Sequence, residues 1–486
     1  MNKKLFTTRR ALAPLFTGLF AALVLAGCST VPAFEPVAAK AAPLAFKELD
    51  GRWAALQPAE AQARGEWWKA FADPLLDDLV TRADRNNTGI QLAAARLAQA
   101  RALLRSANAD RLPQIGLSGG ANRQSASPAL GTTAPANVFN AGLGASYEPD
   151  LFGRLAGASN AAALDAQSRE ALVQSTRLLV QSDVAQTYFG LRALDAERAL
   201  VRQTVSAYRD TLQLTERRYA AGDVAELDLA RVRTEVASTE SQALALDRRR
   251  AELEHALAVL LGELPSALTL DDKANSADGS DWRGALPQVP PGVPSTVLAR
   301  RPDVAAAQRA MQAAQARVGI AQAAWFPDVS LTTSGGFASA DIGDLFKWSA
   351  RAWGVGALLS LPIFDGGRRD AGVQNANAQW DAAAAGYREQ VLVAFREVED
   401  QLSGLRLLAD QATAQAQAVD SASRATVLSN SRYRNGYVSQ LELLDARRSE
   451  LANRRLALQV RSAQYQSTVG LIRALGGGWA SAGSSS

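Results

Sequence analysis

Proline is missing from two long tracts of this 486-residue chain, and this distribution constrains the fold more than any other feature of the sequence. No proline lies between Pro149 and Pro265, and none follows Pro362. Because proline breaks the interior of an α-helix, both tracts are free to form very long helices. Their many Ala, Leu, Gln, Arg and Glu residues favour that conformation. Neither tract holds roughly 18 successive apolar residues, so these helices are not predicted to span a membrane.

A single strong stop signal divides each tract. Gly222 lies in RYAAGDVAELDLA and Gly436 in RYRNGYVSQLELLD, and glycine suits the left-handed conformation that ends a helix. Each tract is therefore predicted to fold as a helical hairpin, one over 154–262 and the other over 367–475. The first arm of each hairpin would be on the order of 100 Å long at about 1.5 Å per residue. A string of shorter bundle helices is the alternative.

Polar residues after each turn are candidates to begin the returning helix. Asp223 is predicted to cap that helix in the first tract, and Ser439 is the weaker candidate in the second. Their side-chain oxygens would accept backbone N–H groups that the first turn of a helix leaves unpaired.

The two turns belong to an internal repeat. Both read Arg-Tyr-x-x-Gly-x-Val-x-x-Leu and lie 214 residues apart, as do Pro113 and Pro327. The chain is therefore predicted to contain two copies of one unit, over 67–264 and 265–476. Each copy would contain a helix, two short segments and a long hairpin.

The two short segments of each copy alternate apolar and polar residues. They cover about 113–123 and 138–149 in the first copy and about 327–337 and 352–363 in the second. A period of two over roughly ten residues is a weak signature of an outer-membrane strand. Four strands cannot close a membrane barrel alone, because edges cannot face lipid and the smallest closed barrels have about eight strands. Either several chains share one barrel, or the segments form a small soluble sheet packed on helices.

The start of the chain has the pattern of a secretory signal. A basic start, an apolar stretch and small residues predict a signal peptide over 1–27. The LAGC sequence there resembles the bacterial lipoprotein box, in which Cys28 becomes the lipidated first residue of the mature chain. Cys28 is the only Cys of the chain, and Ser29 after it is typical of outer-membrane lipoproteins; an ordinary signal with a chance Cys is the alternative. We expect an N-terminal linker over 28–66 and a flexible tail over 477–486.

Composition excludes several classes of function. One Cys and one His are too few for disulfides within the chain, for Cys/His metal clusters or for a Cys-His nucleophile. The four basic residues before Cys28 account for the net charge of +4. The mature chain would therefore be neutral, and a nucleic-acid surface is not expected. Glu397 and Glu399 are not accompanied by a nucleophile or a metal set, so an enzyme is not expected.

Three stretches carry a resemblance to a known family. They are YEPDLFGR from Tyr147, LARRPDVAAAQRAMQAAQARVGIAQAAWFPDVSLT from Leu298 and LSLPIFDGGRRDAG from Leu359. Together with the lipoprotein box and both turns, they resemble the outer-membrane factor family. These proteins are the TolC-like and OprM-like exit ducts of Gram-negative efflux pumps, and NodT-type outer-membrane efflux lipoproteins are among them. The resemblance runs from about Trp67 to Gly476.

The resemblance implies a mainly α fold with a membrane β-barrel, the TolC-like fold. Three chains would form a homotrimer in which three sets of four strands close one 12-stranded barrel. The long hairpins would form a hollow α-barrel that crosses the periplasm. Short helices around 73–86, 294–301 and the chain ends would form a belt around it. The RRPD motif, residues 300–303, would then be a helix junction with local charge pairing.

The implied function is that of a passive exit duct, without a cofactor, metal or catalytic step. Expected partners are a periplasmic adaptor (a membrane fusion protein), an inner-membrane transporter of the RND type and the lipid of the outer membrane. No nucleic acid is expected as a partner. A structural periplasmic coiled-coil lipoprotein without a pore is the alternative, and it would not conduct ions.

The resemblance also implies a gate beside the second turn. Acidic rings lie just after this turn in the family, and Glu442 and Asp445 occupy the matching positions. The first copy has Asp228 and Arg231 at the corresponding positions. We therefore expect a lock between the two hairpins that joins Asp445 to Arg231 or to a nearby Arg. Ordinary solvated helix residues are the alternative.

Two further sets of residues complete the predicted site. Tyr219 and Tyr433, each just before its glycine, are expected to hydrogen-bond across the closed tip. The turns are also expected to contact the adaptor, because small residues permit close backbone approach. The residues expected at this contact are Gly222, Val224, Gly436 and Val438. For the two glycines, turn geometry alone is an equally good explanation.

Overall fold

The computed structural model describes residues 46–47, 65–125, 135–270, 286–287, 289, 297 and 300–477, without the side chains of 124–125. The predicted signal peptide, Cys28, nearly all of the linker, most of the 294–301 segment and the tail after 477 lie outside these residues. The chain divides into two compact units. Of the described residues, unit 1 contains those within 96–169 and 307–387, and unit 2 contains those within 46–95, 170–306 and 388–477.

The described residues form two copies of one series of elements. The first copy contains α1 (Pro74–Asn86), α2 (Thr88–Ala109), β1 (Gln114–Ser125), β2 (Pro135–Tyr147), α3 (Arg154–Ala220) and α4 (Glu226–Leu260). The second contains α5 (Pro302–Ala323), β3 (Asp328–Ser339), β4 (Arg351–Ser360), α6 (Arg368–Arg434) and α7 (Gln440–Ala474). Both ends of α5, β3, α6 and α7 lie 214 residues after the corresponding ends of α2, β1, α3 and α4. The predicted repeat is therefore confirmed.

The proline-free tracts form long uninterrupted helices. α3 and α6 have 67 residues each, and α4 and α7 have 35 residues each. The alternative of a string of shorter helices is therefore wrong. Among the described residues, no helix combines the length and the apolar character needed to cross a membrane.

The start of α3, in unit 1, explains one sequence motif. Asp150 accepts hydrogen bonds from the backbone N–H groups of Leu155 at 3.1 Å and Ala156 at 2.6 Å. These are donors that the first turn of a helix would otherwise leave unpaired. Arg154 donates a hydrogen bond to Glu148 at 2.5 Å. The YEPDLFGR stretch therefore fixes the passage from strand to helix.

Unit 1 contains one antiparallel sheet with the strand order β1-β2-β3-β4. The β1–β2 and β3–β4 connections leave from one end of the sheet, and α3 and α6 follow the strands at the other end. β2 stops at Tyr147 and β4 stops at Ser360, each two residues before a proline. Proline cannot donate to the strand ladder, so both strands end earlier than the alternating pattern suggested.

The pairing register gives the sheet two different faces. Leu117 pairs with Leu143, Leu143 with Gly335, and Gly335 with Trp353, and directly paired residues share a face. The opposite face carries mainly Gly, Ser, Thr and Asn. The first face, named the apolar face below, carries Ile115, Leu117, Phe139, Ala141, Leu143, Ala145, Tyr147, Val329, Leu331, Phe337, Trp353, Val355, Ala357 and Leu359.

The apolar face is open within the chain. Leu117 is 82% exposed, Trp353 83% and Val355 78%. A soluble sheet packed on helices would bury these side chains, because exposed apolar patches of this kind mark interaction surfaces. The exposure therefore favours a sheet that meets a partner or a membrane.

Unit 2 has its main core where the short 3-10 helix Trp67–Phe71 and α1 pack against the long hairpins. The ring of Phe71 lies 4.9 Å from that of Phe189, and the ring of Phe189 lies 4.7 Å from that of Tyr465, measured between centroids. Aromatic contacts at this distance add to the burial of apolar surface. The core therefore joins α3 of the first copy to α7 of the second.

The bases of the two hairpins, where α4 and α7 end, are held in equivalent ways in unit 2. Asn87 donates its side-chain N–H to the carbonyl of Leu260 at 2.7 Å. In the second copy, Arg301 donates to the carbonyl of Ala474 at 3.1 Å. Each contact satisfies a carbonyl that the last turn of a helix leaves unpaired. Different side chains therefore perform the same capping at the two bases.

The RRPD motif forms a charge network around the buried Arg301 at the base of the second hairpin. Arg301 pairs with Asp303 at 2.6 Å and with Glu397 at 2.7 Å. Burial alone would lower the pKa of Arg301, but hydrogen bonds to the two carboxylates raise it instead. The guanidinium therefore remains charged inside the junction, and the prediction of a helix junction is confirmed.

Candidate functional site

The tips of the two hairpins, where α3 meets α4 and α6 meets α7, belong to unit 2. At the first tip, Gly222 has a φ of 79°, which is the left-handed region. Its N–H donates to the carbonyl of Tyr219 at 3.0 Å, and the N–H of Asp223 donates to that of Arg218 at 2.9 Å. This pair of hydrogen bonds defines a Schellman motif. The stop predicted from glycine is therefore confirmed.

The second tip repeats this geometry. Gly436 has a φ of 75°. Its N–H donates to the carbonyl of Tyr433 at 3.1 Å, and the N–H of Tyr437 donates to that of Arg432 at 2.9 Å. Tyr437 is 76% exposed beside the turn, where the first copy has Asp223.

The residues that begin the returning helices differ from the prediction in one copy. α4 begins after Ala225, whose side chain makes no capping hydrogen bond, so the prediction for Asp223 was wrong. The backbone of Asp223 closes the preceding helix, which leaves this residue too far from the first turn of α4. Ser439 is confirmed as the cap of α7, because its hydroxyl accepts from the N–H of Glu442 at 3.4 Å.

The predicted gate acids lie exposed on the first turns of α7. Asp445 pairs with Arg448 at 3.2 Å, three residues further along the same helix. Arg231 pairs with Asp228 at 3.6 Å in the same way on α4. Glu442 is exposed one turn before Asp445. Within one chain, Asp445 therefore pairs with an Arg of its own helix and not with Arg231 of the other hairpin.

Arg448 also links the two hairpins. It pairs with the buried Glu235 of α4 while it keeps its contact with Asp445. The hydrogen bond to Glu235 raises the pKa of Arg448. Both partners are carboxylates, so Arg448 holds a charge bridge from the core of the tip to the exposed Asp445.

The two predicted tyrosines have different environments. Tyr433 is 9% exposed, and its hydroxyl accepts a hydrogen bond from Arg218 at 3.3 Å. The Arg218 guanidinium also lies 5.7 Å from the centre of the Tyr433 ring, within the range of a cation–π contact. Tyr219 is 42% exposed. Of the two tyrosines, Tyr433 is therefore the one that ties the hairpins together among the described residues.

Sequence reasoning missed a set of buried polar contacts between α3 and α7. Arg447 donates to the hydroxyl of Thr211 at 2.7 Å, and Gln440 donates to that of Thr215 at 2.8 Å. Burial lowers the pKa of Arg447. We name these four residues the polar seam. On α7, Gln440, Leu444, Arg447 and Leu451 are spaced by four, three and four residues, as in a heptad, and this was the available signal.

Tyr208 lies next to the polar seam. It is 1% exposed, and its hydroxyl has no hydrogen-bond partner among the described residues. Burial, with the nearby carboxylate of Glu235, raises the pKa of Tyr208 to about 12. Its ring packs with Val232, Val236 and Leu444. Buried polar groups without partners cost stability, so this layer is a weak point of the helix packing.

Further from the tip, an apolar cluster lies beside buried ion pairs of Asp195 with Arg198 and Arg250. Leu194, Val201 and Leu246 form a buried cluster, and Leu451 packs against it.

No group of three or more His, Cys, Asp or Glu residues in the described part of the chain has the arrangement of a metal site.

The family model described as outer membrane efflux protein matches residues 79–263 and 293–477. The two matches begin 214 residues apart, which is the offset between the two structural copies. This chain belongs to the outer membrane efflux protein family. The family's two matched segments thus coincide with the two copies of helices and strands.

Relatives of known function align with nearly the whole chain. The toluene efflux pump outer membrane protein TtgI of Pseudomonas putida is 34% identical over 467 residues, which are 95% of this chain and 97% of the relative. The cation efflux system protein CusC of Escherichia coli O6:H1 is 32% identical over 94% of this chain and 97% of the relative. Among solved structures, the outer-membrane channel OprN matches with a TM-score of 0.84 and 29% identity over 93% of this chain and 100% of that one. The chain thus has the TolC-like fold of outer-membrane efflux channels.

Proposed function

We propose that this chain is the outer-membrane exit duct of a tripartite efflux system. In this role it is a passive trimeric channel that carries small molecules, such as drugs, to the outside. The observation that carries the proposal is the family match over both structural copies, combined with a sheet whose apolar face is exposed. The described residues carry the parts of a conduit, namely long helices and a sheet.

The trimer follows from the edges of the sheet. β1 and β4 each pair with one neighbouring strand in the chain, so both leave unpaired backbone groups. Unpaired backbone groups cannot face lipid. Three copies would join β4 of one chain to β1 of the next and close a 12-stranded barrel. The apolar face would then meet lipid and the Gly- and Ser-rich face would line the channel.

A lipid anchor at Cys28 would place the protein in the outer membrane. The LAGC sequence and the single Cys support this proposal. Metabolic labelling with radioactive palmitate tests it. We expect wild-type protein to be labelled and Cys28→Ser protein to be unlabelled. Equal labelling of both proteins would contradict a lipid anchor at Cys28.

We place the gate at the hairpin tips. Three copies of Glu442 and Asp445 would bring six carboxylates around one axis. In each chain, the bridge from Asp445 through Arg448 to Glu235 would fix the position of Asp445. Pairs between chains, including Asp445 with Arg231 and contacts of Tyr219, would complete the lock. An exposed ion pair contributes only about 0–1 kcal/mol, so several pairs would act together and a partner protein could displace them.

The turns are proposed to contact a periplasmic adaptor, which would connect the channel to an inner-membrane transporter of the RND type. Open space surrounds Gly222 and Gly436, so a partner can approach the backbone closely there. Val224 and Val438 are half-buried beside them. Cysteine substitutions at the two valines are expected to cross-link to an adaptor in an assembled pump. The absence of cross-links in a pump that exports its cargo would contradict the contact.

Conductance separates the proposed channel from a structural lipoprotein. Purified full-length protein is expected to produce discrete single-channel currents in planar lipid bilayers. The matched control is protein that has been unfolded by heat before addition. A well-folded trimer that never conducts would favour the non-channel alternative.

A further inference from the structure

The β3–β4 connection in unit 1 has a defined fold. It contains two short 3-10 turns, Ile342–Asp344 and Trp348–Ala350. The carboxylate of Asp341 accepts the N–H of Gly343 at 2.9 Å. Leu345 is buried between the two turns. The connection therefore presents its remaining side chains in fixed positions.

The connection folds over the end of the apolar face. Phe337 and Arg351 are a directly paired couple at that end of β3 and β4. The ring of Phe346 meets that of Phe337 edge to face, with centroids 5.6 Å apart. The guanidinium carbon of Arg351 lies 3.1 Å from the centre of the Trp348 ring, and its Nε donates to the carbonyl of Trp348 at 2.8 Å. Phe346 and Trp348 are thus held at the rim of the apolar face.

These rim side chains are far more exposed than aromatic residues of a protein core. Phe346 is 73% exposed, Trp348 74% and the neighbouring Trp353 83%. Tryptophan, whose ring carries an N–H, is favoured at the boundary between headgroups and acyl chains of a membrane, and Phe346 adds apolar surface beside it. The rim continues the apolar face directly, so one lipid surface would cover both.

The charges of the connection leave one cation without a carboxylate. Lys347 pairs with Asp344, and Asp341 is occupied by its backbone contact. Among the described residues, Arg351 has no carboxylate within ion-pair distance. The β1–β2 connection at the same end, residues 126–134, contains no charged residue in its sequence. The terminal nitrogens of Arg351 therefore remain available to an anion, and guanidinium matches the geometry of phosphate.

The opposite end of the sheet provides a built-in comparison. There the guanidinium of Arg369 lies 4.5 Å from the centre of the Trp325 ring. This Arg, however, pairs with Asp365 at 2.6 Å. Both ends thus have an Arg on a Trp, but only the Arg at the β3–β4 end is not neutralised.

We propose that Arg351, Trp348 and Phe346 form a binding site for the phosphate-bearing headgroup of an anionic membrane lipid. The aromatic rings would lie at the level of the headgroups, and the guanidinium would bind the phosphate oxygens. The site rests on the proposed function, because it requires the apolar face to lie in a bilayer. It adds to that function a preference for anionic lipid at one end of the sheet.

Native mass spectrometry of the detergent-solubilised full-length protein tests this site. Wild type, Arg351→Gln and Arg369→Gln are titrated with phosphatidylglycerol and, separately, with phosphatidylcholine of the same chains. Because one basic residue near an anionic surface contributes on the order of 1 kcal/mol, Arg351→Gln is expected to weaken phosphatidylglycerol binding about fivefold. Arg369→Gln, the matched control, is expected to bind like wild type. Equal binding by wild type and Arg351→Gln, or an equal loss in both variants, would overturn the site.

Two further measurements identify the ligand and the cause of a failure. Excess inorganic phosphate is expected to leave phosphatidylglycerol bound; complete displacement would mean a free-anion site and would contradict the lipid proposal. Single-channel conductance of Arg351→Gln is expected to equal that of wild type. If no protein conducts but the lipid difference persists, the channel function fails and the lipid site stands. If all conduct and the lipid difference is missing, only the lipid site fails.

Discussion

The glycines at the bases of the two hairpins and those at the tips share a backbone conformation but differ in their surroundings. Gly262 and Gly476 at the bases have φ values of 72° and 86°, and Gly222 and Gly436 at the tips have 79° and 75°. A Cβ atom at Gly262 would lie 2.3 Å from the carbonyl oxygen of Asn86. At either tip glycine, the same atom would meet nothing within 4 Å.

The difference shows that one turn motif serves two purposes in this protein. At the bases, backbone from another element is packed against the glycine, so the turn is fixed by its surroundings. At the tips, the turn is fixed by its own two hydrogen bonds and its surface stays accessible. The bases are therefore expected to be rigid and the tips to open more readily.

The largest expected effect is at a base. Arg301→Ala would leave Asp303 and Glu397 without their buried partner and would remove the cap of Ala474. Breaking a buried pair in this way costs about 3–5 kcal/mol. Denaturant unfolding should show this loss in the free energy of unfolding. A loss below that of the tip variants described below would contradict the assignment of rigidity to the bases.

Gly262→Ala is the next most severe change. The new Cβ would combine the left-handed strain with a clash against Asn86, and together these cost about 2–5 kcal/mol. Thermal unfolding of the purified protein measures the effect. Gly476→Ala, where the Cβ would lie 2.8 Å from the carbonyl oxygen of Arg300, should rank just below it.

The polar seam should respond to the removal of one partner but not to the removal of both. Arg447→Ala breaks the hydrogen bond to Thr211, and losing a buried hydrogen bond costs about 1–3 kcal/mol. The double variant Thr211→Val/Arg447→Leu replaces both partners with apolar groups and should recover most of the loss. Hydrogen exchange over residues 440–450 reports the result. Equal exchange in the single and double variants would contradict the interpretation that the cost comes from one unpaired polar group in the polar seam.

The tip glycines should show the smallest effect. Gly222→Ala meets open space, so only the left-handed strain of about 1–2 kcal/mol remains. The same unfolding experiment that is used for Gly262→Ala provides the direct comparison. If the tip variant lost as much stability as the base variant, the contrast between the two regions would be wrong.

The sequence predicted the structure correctly where a residue acts on its own stretch of backbone. The absence of proline predicted the long helices, and the glycines predicted the turns, because both residues act on their own backbone. Asp223 was misassigned because a cap depends on where the next helix begins, and that position is set by the turn geometry. The repeat predicted the equivalent elements of both copies because it uses the whole chain.

Contacts between elements that are distant along the chain could not be predicted from the sequence. Arg301 lies 96 residues from Glu397, and no local pattern connects them. Arg448 pairs with Asp445 because it is three residues away on the same helix, whereas Arg231 lies on the other hairpin and pairs with Asp228. The polar seam looked like a solvated helix face, since Thr, Gln and Arg are common there. The packing of α3 against α7 buries Thr211, Thr215 and Gln440 and half-buries Arg447.

Single-channel conductance of a tip variant tests the central claim that the hairpin tips gate a channel. Asp445→Ala with Tyr433→Phe removes the carboxylate bound to Arg448 and the hydroxyl bound to Arg218. The conductance of this double variant in planar bilayers should rise several-fold above wild type. Asn87→Ala at a hairpin base, the matched control, should leave it unchanged. Unchanged conductance in the tip variant, or an equal rise in the base variant, would contradict a gate at the tips.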